Sequence, residues 1–276
     1  MTDRIVCVTG ASQGVGLETA ALFARRGDVV IATSRDAERA KDAVADLDLD
    51  ITTHELDVTD QGSVDRLASF VDDRYGRIDV LVNNAGRGYR GTLEQLSIAD
   101  LTESIDINFL GTARTTKAFL PMMRRARRGH LIAVSSIAGA MGQPFRDAYC
   151  SAKFALEGLY ESLRPVAAMW GVHVSIVEPG PVESEHDARA LKLVATDDVE
   201  LAEIEQRYLT TLATARRRPP TEAAEVIVGC ADDPQPRLRY QTCKLSAHMV
   251  GLKLADVSGE TISSMTTSWL EQSPTR

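Results

Sequence analysis

Absences narrow this sequence first. No apolar run approaches the ~20 residues that a membrane-spanning helix requires. The N-terminus passes from Met1-Thr2-Asp3-Arg4 straight into a strand-like segment, without the charged, apolar and cleavable regions of a secretory signal. A cytoplasmic protein is therefore expected. A basic excess is also missing: 31 Lys and Arg against 39 Asp and Glu leave a formal charge of -8 at pH 7. Binding a polyanion needs a cationic face that releases counterions, so nucleic acid is not an expected partner. The single basic cluster, residues 124–128, follows a helical run and precedes the apolar Leu131-Ile132-Ala133-Val134. It reads as a solvated helix end with cations at the negative pole. Neither the four cysteines (Cys7, Cys150, Cys230, Cys243) nor the five histidines (His54, His130, His173, His186, His248) have metal-ligand spacing. No metal is expected, and the cysteines read as reduced thiols. No stretch rich in Pro, Gly or Ser divides the chain, so residues 1–276 are expected to form one domain.

What is present is an alternation. Hydrophobic residues make up 44% and charged residues 25%, proportions that supply a deep core and a solvated surface. Residues 4–9, 29–33, 51–56, 79–82, 131–134 and 172–177 read as buried strands, and helical apolar spacing fills the intervals between them. Strands alternating with helices at this spacing predict an α/β fold: a doubly wound, Rossmann-type parallel sheet with helices on both faces. Residues 98–128 read as one long helical region, and residues 198–215 as another helix.

Three local patterns carry chemistry. The first strand leads into Gly10-Ala-Ser-Gln-Gly14-Val-Gly16 and then a helix. Glycines there let the backbone turn sharply and approach a ligand, while the helix start offers free N–H groups to a pyrophosphate. At the end of the second strand, an acid would bind a ribose diol and an arginine a 2′-phosphate. Thr33 and Ser34 are not acids and Arg35 follows, which favours NADP(H); Asp36 keeps NAD(H) open, although it also fits the N-cap of the next helix. Asp57, just past its strand, is equally a candidate acceptor for an adenine amino group or a turn residue. The third pattern is Tyr149-Cys150-Ser151-Ala152-Lys153: on a helix the Tyr149 and Lys153 side chains share a face. An ammonium beside a phenol favours the phenolate, so a group that titrates near ~10 becomes usable for proton transfer at neutral pH. Asn108, inside an apolar helix face, requires partners for its amide.

With the glycine turn, Asn83-Asn84-Ala85-Gly86, Ser136, Tyr149-x-x-x-Lys153 and Pro179-Gly180-Pro181-Val182 in this order, the chain resembles the short-chain dehydrogenase/reductase family over residues 4–245. Residues 144–159, continued by Gly171-Val172-His173-Val174-Ser175, look like its branch of 17β-hydroxysteroid and retinol dehydrogenases. The resemblance implies that Tyr149 is the general acid or base on a substrate oxygen. Ser136 would hydrogen-bond that oxygen, Lys153 would lower the tyrosine pKa and hold the nicotinamide ribose, and Asn108 would support a water leading from the lysine to solvent. Family spacing favours Ser136 over Ser135; the local sequence does not separate them. Gly10, Ser12, Gln13, Gly14, Val15 and Gly16 would form the pyrophosphate site, with Arg35 at the adenosine ribose. Asp57 and Val58 would border the adenine, and Asn84, Ala85 and Gly86 would pack beside its ribose. Pro179, Gly180, Val182 and Ser184 would hold the nicotinamide, Ser184 standing where the family usually has threonine.

The function implied is reversible NAD(P)(H)-dependent interconversion of a lipophilic alcohol and its ketone or aldehyde, steroid-like, retinoid-like or a secondary-metabolite carbonyl. Two rivals are a dinucleotide-binding sensor or scaffold without turnover, and an epimerase or dehydratase with transient redox. Residues 185–220 fall where the family carries a substrate lid, and His186 is a candidate substrate contact there. Pro165 is expected to kink the Tyr149 helix beyond its catalytic turn. The apolar residues of the extension at 244–276, Met249, Val250, Leu252, Leu254 and Trp269, are expected to pack or meet another subunit. A homodimer or homotetramer joined through the 98–128 and Tyr149 helices is the expected assembly.

Overall fold

Neighbouring residues along each strand feed opposite cores, and this alternation builds the molecule. In this computed structural model, which describes residues 4–183 and 198–271, seven strands form one sheet in the order β3-β2-β1-β4-β5-β6-β7. They are β1 (Ile5–Val8), β2 (Val29–Ser34), β3 (Ile51–Glu55), β4 (Val80–Asn83), β5 (Gly129–Val134), β6 (Val172–Glu178) and β7 (Arg239–Gln241), and every adjacent pair is parallel. Ile5, Cys7, Ile31, Leu81, Leu131 and Ile176 point to one face, where α3 (Gln61–Tyr75), α5 (Gly111–Ala126) and α7 (Asp147–Ala168) bring Leu67, Phe119 and Tyr160. Val6, Val8, Val30, Ala32, Val82 and Ile132 point to the other, where α1 (Gly14–Arg25), α2 (Ala37–Ala45) and α9 (Pro220–Asp232) bring Phe23, Val44 and Ile227. Strands covered on both faces need a continuous apolar run, which is why these segments read as buried strands in the sequence.

This is the doubly wound Rossmann arrangement that the alternation predicts. The strand order reverses between β1 and β4, so the loops after those strands diverge and leave a crevice at the carboxyl edge.

Two helical expectations are refined. Residues 98–128 form α4 (Ile98–Ile105), a π turn (Asp106–Leu110) and then α5. The π turn inserts one residue at Asn108, a distortion characteristic of functional positions. The Tyr149 helix, α7, runs through Pro165 to Ala168. The proline lies in the last turn, where its missing N–H affects only the fraying end.

The helix expected over residues 198–215 is α8 (Val199–Thr214). Beyond β7, α10 (Lys244–Ala255) and α11 (Glu260–Glu271) carry Met249, Leu252, Met265 and Trp269 against Ile137, Met141 and Ile262, covering α6 (Ile137–Ala140). Val250 is buried and Leu254 exposed. Among the described residues no helix is long and apolar enough to cross a membrane, and no group of His, Cys, Asp and Glu could hold a metal ion.

Candidate active site

The crevice begins where two loops lock together. Thr9 Oγ1 accepts from the backbone N–H groups of Asn84 (3.0 Å) and Ala85 (2.9 Å), and Asn84 Nδ2 donates to the carbonyls of Thr9 (2.9 Å) and Gly10 (3.0 Å). This contact leaves no room for a side chain at Gly10 or Gly16. A Cβ at Gly10, whose φ is +66, would lie 2.8 Å from Ala85 Cα, and one at Gly16 would collide with Asn84 Nδ2 and the Gly10 carbonyl. Helix α1 starts at Gly14 with no capping side chain, whereas Asp36, Asp60 and Ser97 cap α2, α3 and α4. Its uncapped N–H groups open on a cavity of about 860 Å³ lined by Gly10, Ser12, Gln13, Gly14, Val15 and Gly16. An orphan helix start on a glycine turn of this size fits a dinucleotide pyrophosphate.

At one end of the cavity, Ser34, Arg35 and Arg39 lie together, with Arg39 donating to Gln13 Oε1. Asp36 lines this end too, but it is the N-cap of α2, accepting from the Arg39 N–H at 3.0 Å. Asp57 is a turn residue, its Oδ1 accepting from Thr59 N (2.9 Å) and Oγ1 (2.7 Å), and it lines the cavity beside Val58. Asn84, Ala85 and Gly86 complete this wall.

At the other end the two serines separate. Ser135 Oγ is buried and donates to Glu157 Oε1 at 2.8 Å, while Ser136 caps α6, accepts from Ala138 N at 3.1 Å and is partly exposed on the cavity wall. Tyr149 packs against Tyr89, Ala138 and Ala148, and the Lys153 ammonium lies 5.7 Å from its ring centre. Lys153 Nζ donates to the Val134 carbonyl at 2.8 Å. Burial pushes the lysine down to about 8, opposed by the charge of Glu157. Pro179, Gly180 and Val182 line the cavity opposite, held by bonds from Ile137 N to Pro179 O (3.1 Å) and from Gly180 N to Thr242 Oγ1 (3.2 Å).

Asn108 stands behind this wall. Its Oδ1 accepts from Arg87 N at 3.0 Å, and Nδ2 donates to the carbonyls of Arg87 (3.0 Å) and Ser104 (3.1 Å). Its Oδ1 also sits 2.8 Å from where a Gly86 Cβ would be, so the π turn fixes the Gly86 loop. Ser184 and His186 lie outside the described residues.

Several wall residues escaped the sequence reading. Arg39 lies four positions beyond Arg35, and Arg146 three before Tyr149 with its guanidinium 5.8 Å from that ring; their nearness in the chain to residues already singled out could have flagged both. Leu212, Ala215 and Arg217 arrive from α8 and the loop after it, where only tertiary packing brings them. Tyr208 of α8 stacks on Phe145 at 5.5 Å between ring centres, and Phe145 holds a left-handed φ of 58 just before α7. Such a backbone costs about 1 kcal/mol or more and persists where packing imposes it.

Residues 4–192 match the short chain dehydrogenase family. The chain is 37% identical to human retinol dehydrogenase 8, over 93% of this chain and 86% of that protein. It is 36% identical to human 17-beta-hydroxysteroid dehydrogenase type 1, over 94% and 83% respectively. Among solved structures, a short-chain dehydrogenase from Streptomyces avermitilis superposes with a TM-score of 0.80 at 31% identity, covering 98% of this chain and 97% of that one. An alcohol dehydrogenase from Thermococcus sibiricus in complex with 5-hydroxy-NADP gives a TM-score of 0.72 at 26% identity, covering 86% and 95%.

Proposed function

The chain belongs to the short-chain dehydrogenase family, as an NAD(P)-dependent oxidoreductase interconverting alcohols and carbonyls, and from this we propose a lipophilic substrate, NADP(H) as preferred cofactor and Tyr149 as the proton-transferring group. A nicotinamide held by Lys153, Pro179, Gly180 and Val182 would supply or accept the hydride. The protein's own residues handle the oxygen of the reacting carbon. Tyr149 gives a proton to that oxygen in reduction and takes it back in oxidation, and Ser136 donates a hydrogen bond that stabilises developing negative charge. Lys153, held by Val134, keeps a positive charge beside the phenol and favours its ionised form. Asn108 acts at a remove, by fixing the Gly86 loop.

The observation that carries this reading is the 5.7 Å approach of the Lys153 ammonium to the Tyr149 ring, inside the cavity that the glycine turn opens. Preference for NADP(H) is supported by Arg35 and Arg39 at the adenosine end, and a lipophilic substrate by Ile137, Pro181, Val182 and Leu212 in the cavity lining.

The test is Tyr149→Phe. NADPH and NADH are titrated by fluorescence, and lipophilic ketones and alcohols are followed at the nicotinamide absorbance. The variant is expected to lose roughly a hundred- to ten-thousand-fold in kcat with cofactor affinity unchanged. Retained turnover overturns the assignment to Tyr149. Tight binding by the wild type with substrate conversion but no net cofactor oxidation or reduction identifies an epimerase or dehydratase, and binding with no conversion leaves the sensor or a substrate outside the panel.

A further inference from the structure

Behind Ser135 and Lys153 lies a cluster of charged groups that proton transfer by Tyr149 does not use. Glu157 sits on α7 one turn beyond Lys153, and Glu178 ends β6 directly before Pro179 and Gly180. Both side chains are almost wholly buried. Glu157 Oε1 accepts from Ser135 Oγ at 2.8 Å, and its Oε2 lies 3.3 Å from Arg239 Nε. Glu178 Oε2 accepts from Gln241 Nε2 at 2.5 Å. Glu178 Oε1 is 3.6 Å from Arg239 Nε and has no hydrogen-bond partner among the described residues. Arg239 is also committed to Glu161, at 2.9 Å. From above, α6 closes the cluster: a Cβ at Gly139 would lie 2.5 Å from Glu157 Oε1.

We propose that Glu157 and Glu178 are an acid pair sharing one proton, and that they act on the reaction as positioning residues by setting the field at Lys153. This role for the pair rests on the oxidoreductase reading; the shared proton does not. Two buried carboxylates facing a single guanidinium that also serves Glu161 would leave a negative charge uncompensated, which the interior penalises heavily. A proton on Glu178 removes that charge and lets the orphan Oε1 donate to Glu157. Glu157, with Ser135 and Arg239 as donors, keeps the negative charge. Burial first, and then the neighbouring Glu157, pushes Glu178 up to about 7. Among the described residues, Lys153, Glu161 and Arg239 are the charged groups facing the pair, and of these Lys153 alone lies on the reaction side. The pair therefore ties together the segments bearing Ser136, Lys153 and the nicotinamide loop, and the Glu157 charge holds the lysine proton. Deprotonation sends the proton to solvent and adds one negative charge beneath the site.

The test is infrared titration of the intact protein without added substrate. A protonated carboxyl stretch is expected that disappears as pH rises through about 7, well above the range of exposed acids. Glu178→Gln, which keeps the shape of the side chain, is expected to remove it. Glu157→Gln should move it to lower pH by withdrawing the neighbouring charge. No such band, or one persisting in Glu178→Gln, overturns the shared proton. For the link to Lys153, Glu157→Gln should shift the alkaline limb of the kcat profile to lower pH by about one unit. A uniform loss of kcat without that shift makes Glu157 merely structural and overturns the link. Failure to find any turned-over substrate would count against the oxidoreductase reading alone, because the infrared result stands without turnover.

Discussion

The carboxylate of Asp36 is committed to its own helix, accepting from the Arg39 N–H, while the Asp36 N–H is held by Ser34 Oγ at 3.2 Å. An acid used in this way closes α2, and the groups left to meet an adenosine ribose are Ser34, Arg35 and Arg39. A 2′-phosphate would gain charge-assisted bonds from the two arginines, and a plain ribose would gain little. Arg35→Ala and Arg39→Ala are each expected to weaken NADPH binding about tenfold, at the low end of what one charge-assisted bond contributes, with NADH within about twofold. Fluorescence titration of both cofactors reads this directly. Equal weakening of NADPH and NADH would mean that the arginines support the loop and do not read the phosphate. Asp36 was open in the sequence because an N-cap and a ribose-binding acid occupy the same place after a strand. Only the direction of its side chain separates them. The local sequence did not separate Ser135 from Ser136 for a similar reason: what distinguishes their surroundings is Glu157, a residue 22 positions away from Ser135.

At the scale of elements, what depended on neighbours in the chain was legible. The strands announced themselves as apolar runs because both faces of the sheet are covered, and Tyr149 and Lys153 because four residues make about one helical turn. The π turn at Asp106–Leu110 was not legible. One extra residue hardly alters the apolar spacing of a long helical segment, and what stabilises it is distant: the Arg87 backbone, reached by the Asn108 amide. Asn108→Ala would leave the buried Ser104 carbonyl and the partly buried N–H and carbonyl of Arg87 without these bonds. A loss of about 2–4 kcal/mol is expected, from one or two newly unsatisfied groups. In denaturant titration the midpoint should fall with the slope unchanged. A stability within about 0.5 kcal/mol of wild type would mean that the π turn relaxes to regular helix at no cost. Helices α8, α10 and α11 were similarly half legible: their periodicity or apolar content could be read, but not that α10 and α11 would cover α6 beside Ser136.

Across the whole molecule, buried titratable groups on the two faces of the sheet oppose each other. His130 of β5 lies on the α9 side, 3.9 Å from Cys230 Sγ. Ser175 Oγ gives its proton to the Arg237 carbonyl (2.6 Å), so it must accept from His130 Nε2–H (2.9 Å). Burial, and then the nearby His173 and Arg164, push His130 down to about 3 from an ordinary 6.5. The folded state then refuses a proton that the unfolded chain takes up. Stability should fall by about 1.4 kcal/mol for each pH unit below 6.5 until about 3. Glu178, on the α7 side, has the opposite sign. Its folded value of about 7 exceeds the ordinary 4.5, so its contribution is greatest at low pH and is lost as pH rises between those values. Between 4.5 and 6.5 the two slopes oppose each other. His130→Gln, which can still donate to Ser175, removes one slope and leaves the other. In denaturant titrations across this range the stabilities of variant and wild type should then diverge by about 1.4 kcal/mol for each pH unit toward acid. Parallel curves would show that His130 accepts a proton in the folded protein as readily as outside it.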